Sequence, residues 1–126
     1  MKSLMFALVL STVLPASDVN LSAIAKAIGE GNAEALGQYF DQSVEVSVLE
    51  NEDVYSKTEA VRVVKGFFGQ YKPKSFSQVH QGTSKGNDSQ YSIGNLVTAS
   101  GTFRVYIYVK VSGSNFLIQE LRFDKE

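Results

Sequence analysis

Apolar positions along this chain follow two periods. Between residues 18 and 70 they mostly recur three and four apart, the spacing that gathers side chains on one helical face. From Ser75 onward they alternate, as in strands. In the first helical stretch Leu21, Ile24, Ala25 and Ile28 share a face, Asp18 or Asn20 can cap the start, and Gly29 and Gly31 mark the end. Asn32 then caps a second short helix, "AEALGQYF", with Leu36, Tyr39 and Phe40 on one side. "SVEVSVL", residues 43 to 49, sets Val44, Val46 and Val48 against Glu45 and Ser47 and predicts a strand; "ENED" predicts a turn and "VYS" a short returning strand. Ser56 and Glu59 form an S-x-x-E capping box that opens a third helix. Its apolar face is Ala60, Val61, Val64, Phe67 and Phe68, and it stops near Gly69, ahead of Pro73.

Four strands follow: "FSQVHQG", "QYSIGNLVT", "TFRVYIYVKV" and "NFLIQELRF", separated by the turn-forming "TSKGND", "ASG" and "SGSN". No linker or internal repeat interrupts them. Helices segregated from a run of strands predict an α+β domain over residues 18–126, its helices packed on one face of an antiparallel sheet.

"TFRVYIYVK" complicates that picture, because it alternates without a plainly polar face. Phe103, Val105, Ile107 and Val109 fall on one side, and Arg104, Tyr106, Tyr108 and Lys110 on the other. A turn at Gly113 and Ser114 would set Tyr106 opposite Leu121 and Tyr108 opposite Gln119. A turn at Ser100 and Gly101 would set Ile93 opposite Tyr108 and Asn95 opposite Tyr106. One face then collects Tyr91, Ile93, Val97, Tyr106, Tyr108, Leu117, Leu121 and Phe123; a three-residue loop or a bulge would move the last strand to the other face. Either register leaves aromatics on both faces, while helices cover one. Each large apolar side chain left in water forgoes about 1.5–3 kcal/mol, so the second face predicts a cover: another copy of the chain, or a ligand across the sheet.

The N-terminus adds a compartment. "MKSLMFALVLSTVLPAS" places Lys2 before an apolar run from Leu4 to Leu14 and the small Ala16 and Ser17, the order of a secretory signal. The run is about 11 residues, short of the roughly 20 that span a bilayer. Residues 1–17 are therefore expected to be a cleaved signal peptide, the protein periplasmic or secreted, with no stable membrane anchor. The alternative is an apolar N-terminal helix of the domain itself. Twelve basic and thirteen acidic residues give a net charge of −1, which draws the protein neither to nucleic acid nor to anionic lipid. With no cysteine there are no disulfides, thiolate metal sites or Cys nucleophiles.

Helix, helix, strand, strand, helix and four antiparallel strands, at this length, resemble the nuclear transport factor 2-like superfamily, also called cystatin-like. The stretches "GNAEALGQYFDQSVEVSVLENEDVYSK", "SFSQVHQGTSKG" and "LIQELRFDKE" are similar to an uncharacterised family of secreted bacterial proteins with that fold. The resemblance covers about residues 18–126. It implies a cone-shaped domain in which a curved sheet wraps the helices and the open end holds a pocket, and it implies sheet-to-sheet dimers. It transfers no activity. Ketosteroid-isomerase-like relatives carry a cavity Asp base, and scytalone-dehydratase-like relatives cavity His, Asp and Tyr. Here Glu45 opposes the valine face of its strand, Glu120 stands two residues from Arg122, and Asp41, Glu50, Glu52, Asp53 and Asp88 sit at element ends or turns. No carboxylate lies mid-strand on an apolar face, where burial would raise its pKa for catalysis.

His80 is the one histidine, and the pattern of "FSQVHQG" puts it on a face with Phe76 and Gln78. It is read either as a hydrogen-bonded strand residue or as the general base of a small isomerase or dehydratase. "GTSKGND" has the glycines and lysine of a phosphate cradle, but not the G-K-[ST] order, and opens no helix. Lys72 and Lys74 are too few for a nucleic-acid stripe. The sequence thus favours a non-enzymatic binding domain without metal or cofactor. Tyr39, Phe40, Phe67, Phe68 and Tyr71, joined by His80, are expected to line a mouth suited to a small amphipathic ligand. Tyr91, Arg104, Tyr106 and Tyr108 are expected at a homodimer interface.

Overall fold

The computed structural model describes residues 16–84, 86 and 88–126, with side chains from Asn20 onward. Most of the expected signal segment, residues 1–15, lies outside the described residues. The elements run α1 (Ala16–Glu30), α2 (Ala33–Gly37), β1 (Phe40–Val48), β2 (Asn51–Ser56), α3 (Lys57–Gln70), β3 (Pro73–Thr83), β4 (Ser89–Thr98), β5 (Gly101–Ser112) and β6 (Asn115–Lys125). Asn32 caps α2 by accepting from the Ala35 N–H, and Ser56 caps α3 by accepting from the Glu59 N–H, as the sequence predicts.

The strands form one sheet in the order β2-β1-β6-β5-β4-β3. Every neighbouring pair is antiparallel except β1 and β6, which run parallel and are separated along the chain by β2, α3, β3, β4 and β5. β1 starts at Phe40, which the periodicity had assigned to the second helix. The β1–β2 turn is Leu49–Glu50 rather than "ENED", so β2 is longer than "VYS". Leu49 holds the turn at φ 58°, a left-handed conformation rare for leucine, while its N–H donates to the Phe123 carbonyl at 2.9 Å.

The described helices cover one face only. There α1 contributes Leu21, Ile24 and Ile28, α3 contributes Ala60, Val64, Phe67 and Phe68, and the sheet answers with Val44, Val46, Leu96, Phe103, Val105, Ile107, Val109, Leu121 and Phe123, all buried. Gly94 makes room on this concave face. A Cβ there would come within 2.6 Å of the Ser77 carbonyl and strike the Phe76 ring, which lies across β4.

Two bulges decide which side chains reach which face, and both correct the expected register. The β5–β6 turn is Gly113–Ser114, as expected, and the first half of β6 pairs accordingly, Val109 with Ile118. Gln119 is then an extra residue. Beyond it Tyr108 stands opposite Glu120 and Tyr106 opposite Arg122, so Leu121 and Phe123 turn inward to the core instead of joining the tyrosine face. The β4–β5 turn is Ala99–Ser100, one residue earlier than expected. It pairs Tyr91 with Tyr108 and Ile93 with Tyr106, a two-residue slide that leaves the faces unchanged. In β3 the pairing steps from Gln78 opposite Gly94 to His80 opposite Ile93, with Val79 bulged between them. His80 therefore leaves the face of Phe76 and Gln78 and lies on the convex side.

Candidate functional site

The convex face is built in rows across the sheet. One row runs His80, Ile93, Tyr106, Arg122, Ser47 and Glu52; the next runs Gly82, Tyr91, Tyr108, Glu120, Glu45 and Val54. Tyr91 and Tyr106 stack with ring centroids 6.2 Å apart and planes 9° from parallel. The His80 Nε2 lies 3.0 Å from the Tyr91 hydroxyl, closing the aromatic end. Gly82 admits Tyr91 over the β3 backbone, since a Cβ at Gly82 would lie 2.6 Å from its ring. Next to this patch Arg104 reaches the Asn95 carbonyl oxygen at 3.1 Å and the Glu126 carboxylate at 2.6 Å. Ile93, Arg104, Tyr106, Glu120, Arg122 and Asp124 enclose a shallow depression of about 330 Å³.

The other half of the convex face is acidic. Glu45, Glu52 and Glu120 converge there, with Arg122 3.9 Å from Glu120 and 3.8 Å from Asp124. A hydrogen bond between the Glu45 and Glu52 carboxyls raises the Glu45 pKa above the ordinary glutamate range. Partial burial and the Glu120 charge add to the rise, against the pull of Arg122. Glu120 and Arg122 form the ion pair their spacing suggests. On β1, Asp41 is instead lowered, chiefly by the Gln119 amide that donates to it at 3.0 Å.

The residues expected at an aromatic mouth divide. Phe67, Phe68 and Tyr71 come together, but as packing: Phe67 stacks on Phe123 at 4.2 Å and meets Phe103 edge-on at 5.1 Å, where Tyr71 also contacts it. Phe40 is buried in the core and Tyr39 half-buried beside it, its carbonyl accepting from the Ile118 N–H. His80 is on the opposite side of the sheet from all five. Phe67 touches one open feature, a groove of about 600 Å³ between the β1–β2 hairpin and α3, floored by Val48, Val63 and Phe67 and rimmed by Glu50, Glu52 and Asp53. Among the described residues no group of three or more histidines and carboxylates is placed to hold a metal ion, and no helix is long and apolar enough to cross a membrane.

Sequence reasoning passed over one further set. On the concave side of β3 and β4, Gln90 and Ser92 occupy rows that continue as Val109 and Ile118 and as Ile107 and Leu121, and Gln78 stands in the row of Gly94, Val105 and Phe123. The signal was present in "QYSIGNLVT": Gln90, Ser92 and Gly94 share the parity of Leu96, a polar stretch on what is otherwise a core face.

A sheet of this order curving round its helices over an apolar interior is the nuclear transport factor 2-like, or cystatin-like, fold. Within that class the chain belongs to the DUF4783 family, a domain of unknown function, whose model matches residues 21–124. It is similar to the crystal structure of a DUF4783 family protein from Bacteroides uniformis, with 30% identity and a TM-score of 0.78 over 83% of this chain and 95% of that one. Its likeness to a DUF4783 family protein from Bacteroides ovatus is comparable, with 28% identity and a TM-score of 0.78 over 83% and 94% of the two chains. A domain of unknown function with a cystatin-like fold from Nostoc punctiforme shares the fold alone, with 10% identity and a TM-score of 0.69 over 90% of this chain and 80% of that one. No curated protein matches the chain.

Proposed function

We propose that the protein is a periplasmic or secreted binding module that works as a homodimer, two copies meeting through the convex face of the sheet. The observation that carries this reading is where the apolar surface lies. Val54 and Val97, 62% and 39% exposed, share the convex face with the half-buried Tyr91, Ile93, Tyr106 and Tyr108, and every described helix packs on the other side. The charge pattern supports a second copy as the cover. Carboxylates gather on β1, β2 and β6, while the Tyr91 hydroxyl, His80 and Arg104 stand on β3 to β5. A two-fold axis along β5 sets β6 and β1 of one copy over β4 and β3 of the other, so that Glu120 and Glu45 meet hydrogen-bond donors. The secretory pattern of residues 1–17 supports the compartment. The enzyme reading has less behind it, because His80 is exposed on the convex face and its described side-chain hydrogen bond is to Tyr91.

Sedimentation velocity at tens of micromolar tests the assembly. The wild type is expected to sediment as a dimer, and the Tyr106→Glu/Tyr108→Glu variant, which would bury two charges at the contact, as a folded monomer. A monomeric wild type, or a variant that stays dimeric, would overturn the proposal.

A further inference from the structure

We infer that the concave wall formed by β3 and β4 is a binding site for a small neutral polyhydroxylated molecule, about the size of a monosaccharide. The wall is a polar inset in an apolar surface. Across the sheet from it the concave rows read Val109 and Ile118, then Ile107 and Leu121, all buried. On β4 the same rows end in Gln90 and Ser92, which are 9% and 0% exposed. On β3 they continue to Thr83 and Gln81, which are exposed, so the inset opens at the sheet's edge.

Two details point to a ligand rather than to internal pairing. The Gln90 Oε1 is buried with no hydrogen-bond partner. A buried acceptor left unpaired costs about 1–3 kcal/mol, a penalty that a donor arriving from outside removes. Beside it the Gln78 amide donates to the Ser92 hydroxyl at 2.6 Å, which fixes the orientation of both groups and leaves the Gln78 carbonyl oxygen for another donor.

The chemistry of the wall selects the ligand. Gln78, Gln81, Thr83, Gln90 and Ser92 are all uncharged. A carbonyl acceptor repels an anion, and on β3 and β4 these rows hold no carboxylate to take a cation. A primary amide presents an acceptor and a donor in one plane, which adjacent hydroxyl groups match with one accepting and one donating. Opposite Gln90 and Ser92, the buried Val109 and Ile107 of β5 back the inset with apolar surface. This site is independent of the convex face, so a monomeric protein could still carry it, and a dimer could lack it.

The test is side-chain amide NMR on the full mature chain, with D-glucose and N-acetylglucosamine as neutral probes and glucuronate and glucosamine as charged ones. The neutral probes, at up to ~100 mM, are expected to shift the Gln78 and Gln90 amide resonances together, with a weaker response to the charged pair. Gln90→Leu keeps the shape and removes the orphaned acceptor. It is expected to fold with unchanged or higher Tm and to weaken the binding about tenfold, the loss of one hydrogen bond of roughly 1.4 kcal/mol. Gln78→Ala is expected to weaken it as well, and covers the case in which Gln90→Leu fails to fold. Neutral probes that leave both amides unmoved, shifts confined to other strands, or equal response to the charged probes would overturn the inference.

Discussion

Phe67 of α3 lies against Phe123 of β6 with ring centroids 4.2 Å apart and planes at 27°, and this stack joins the long helix to the centre of the sheet. Phe67 is 3% exposed and Phe123 fully buried, with Phe68 and Phe103 set edge-on around them. Phe67→Ala removes the ring from the middle of that cluster and is expected to cost about 3–5 kcal/mol of stability. A double-mutant cycle with Phe123→Ala is expected to show a coupling of about 0.5–1.5 kcal/mol beyond the separate losses. Chemical denaturation reads both, and a loss under about 1 kcal/mol for Phe67→Ala would contradict the packing described.

Phe123 reaches that stack because Gln119 is an extra residue in β6. Deleting Gln119 would place Glu120 directly after Ile118, opposite Tyr108 as before, so that Leu121 and Phe123 keep their inward places and the strand alternates without a bulge. The deletion is therefore expected to keep a cooperative melt and a native near-UV circular dichroism spectrum. Gln119→Ala keeps the bulge and loses the amide contact to Asp41, so it is expected to cost about 1 kcal/mol. A deletion that loses cooperative folding would show that Gln119 is not simply an inserted residue.

The contrast between these two strand halves shows what was legible beforehand. The starts of α2 and α3 were readable because a cap is a local event: Asn32 and Ser56 bond N–H groups three residues on, whereas Asp18 and Asn20, expected to cap α1, lie inside it. The alternation of β5 was readable for the same reason, and so was the presence of a second apolar face. The bulges at Val79 and Gln119 were not, because an inserted residue leaves the local pattern unchanged and shows itself only in what the neighbouring strand places opposite. His80 accordingly lies on the other side of the sheet from Gln78, and Phe40, Phe67 and Phe68, expected at a mouth, are buried in the core with Tyr39 and Tyr71 half-buried against it. The polar inset at Gln90 and Ser92 was legible in parity alone, yet its meaning depends on Gln78 reaching across from β3, a contact between residues fourteen apart.

Gly94 offers a test of how closely β3 and β4 approach. Gly94→Ala places a methyl group within 2.6 Å of the Ser77 carbonyl, which belongs to the paired backbone and cannot swing aside as a side chain could. The substitution also strikes the Phe76 ring. It is expected to destabilise the protein by about 1–3 kcal/mol, through overpacking. Gly66→Ala, at a helical position where the added carbon meets nothing within 4 Å, is the control and is expected to be neutral or slightly stabilising. Equal melting temperatures for the two variants would show that the strands have room to part.

The acidic corner of the convex face predicts a stability that falls with rising pH. Glu45 faces Glu52, with which it shares a hydrogen bond, and Glu120; these hold its pKa above the ordinary glutamate value against the opposing pull of Arg122. Between the ordinary value and the raised one, the folded chain binds more protons than the unfolded chain. Stability therefore decreases as pH climbs through that interval, and the penalty is fully present above it. Glu45→Gln preserves the hydrogen bond to Glu52 and removes the charge. It is expected to raise Tm at pH 7 by about 1–3 °C, a small effect because the groups are open to solvent and screened. The gain should shrink as the buffer is taken down to the ordinary glutamate range, where protonation does the same work in the wild type. Asp41 has the opposite sign. Its pKa is depressed by the Gln119 amide, so its contribution is present at neutral pH and is lost as pH falls through the depressed value. Asp41→Asn is accordingly expected to lower Tm at pH 7 and to change little in strong acid. Thermal melts of both variants from neutral to acidic pH should converge on the wild-type curve from opposite sides. A Glu45→Gln advantage that persists unchanged into acid would show that the three carboxylates do not crowd one another.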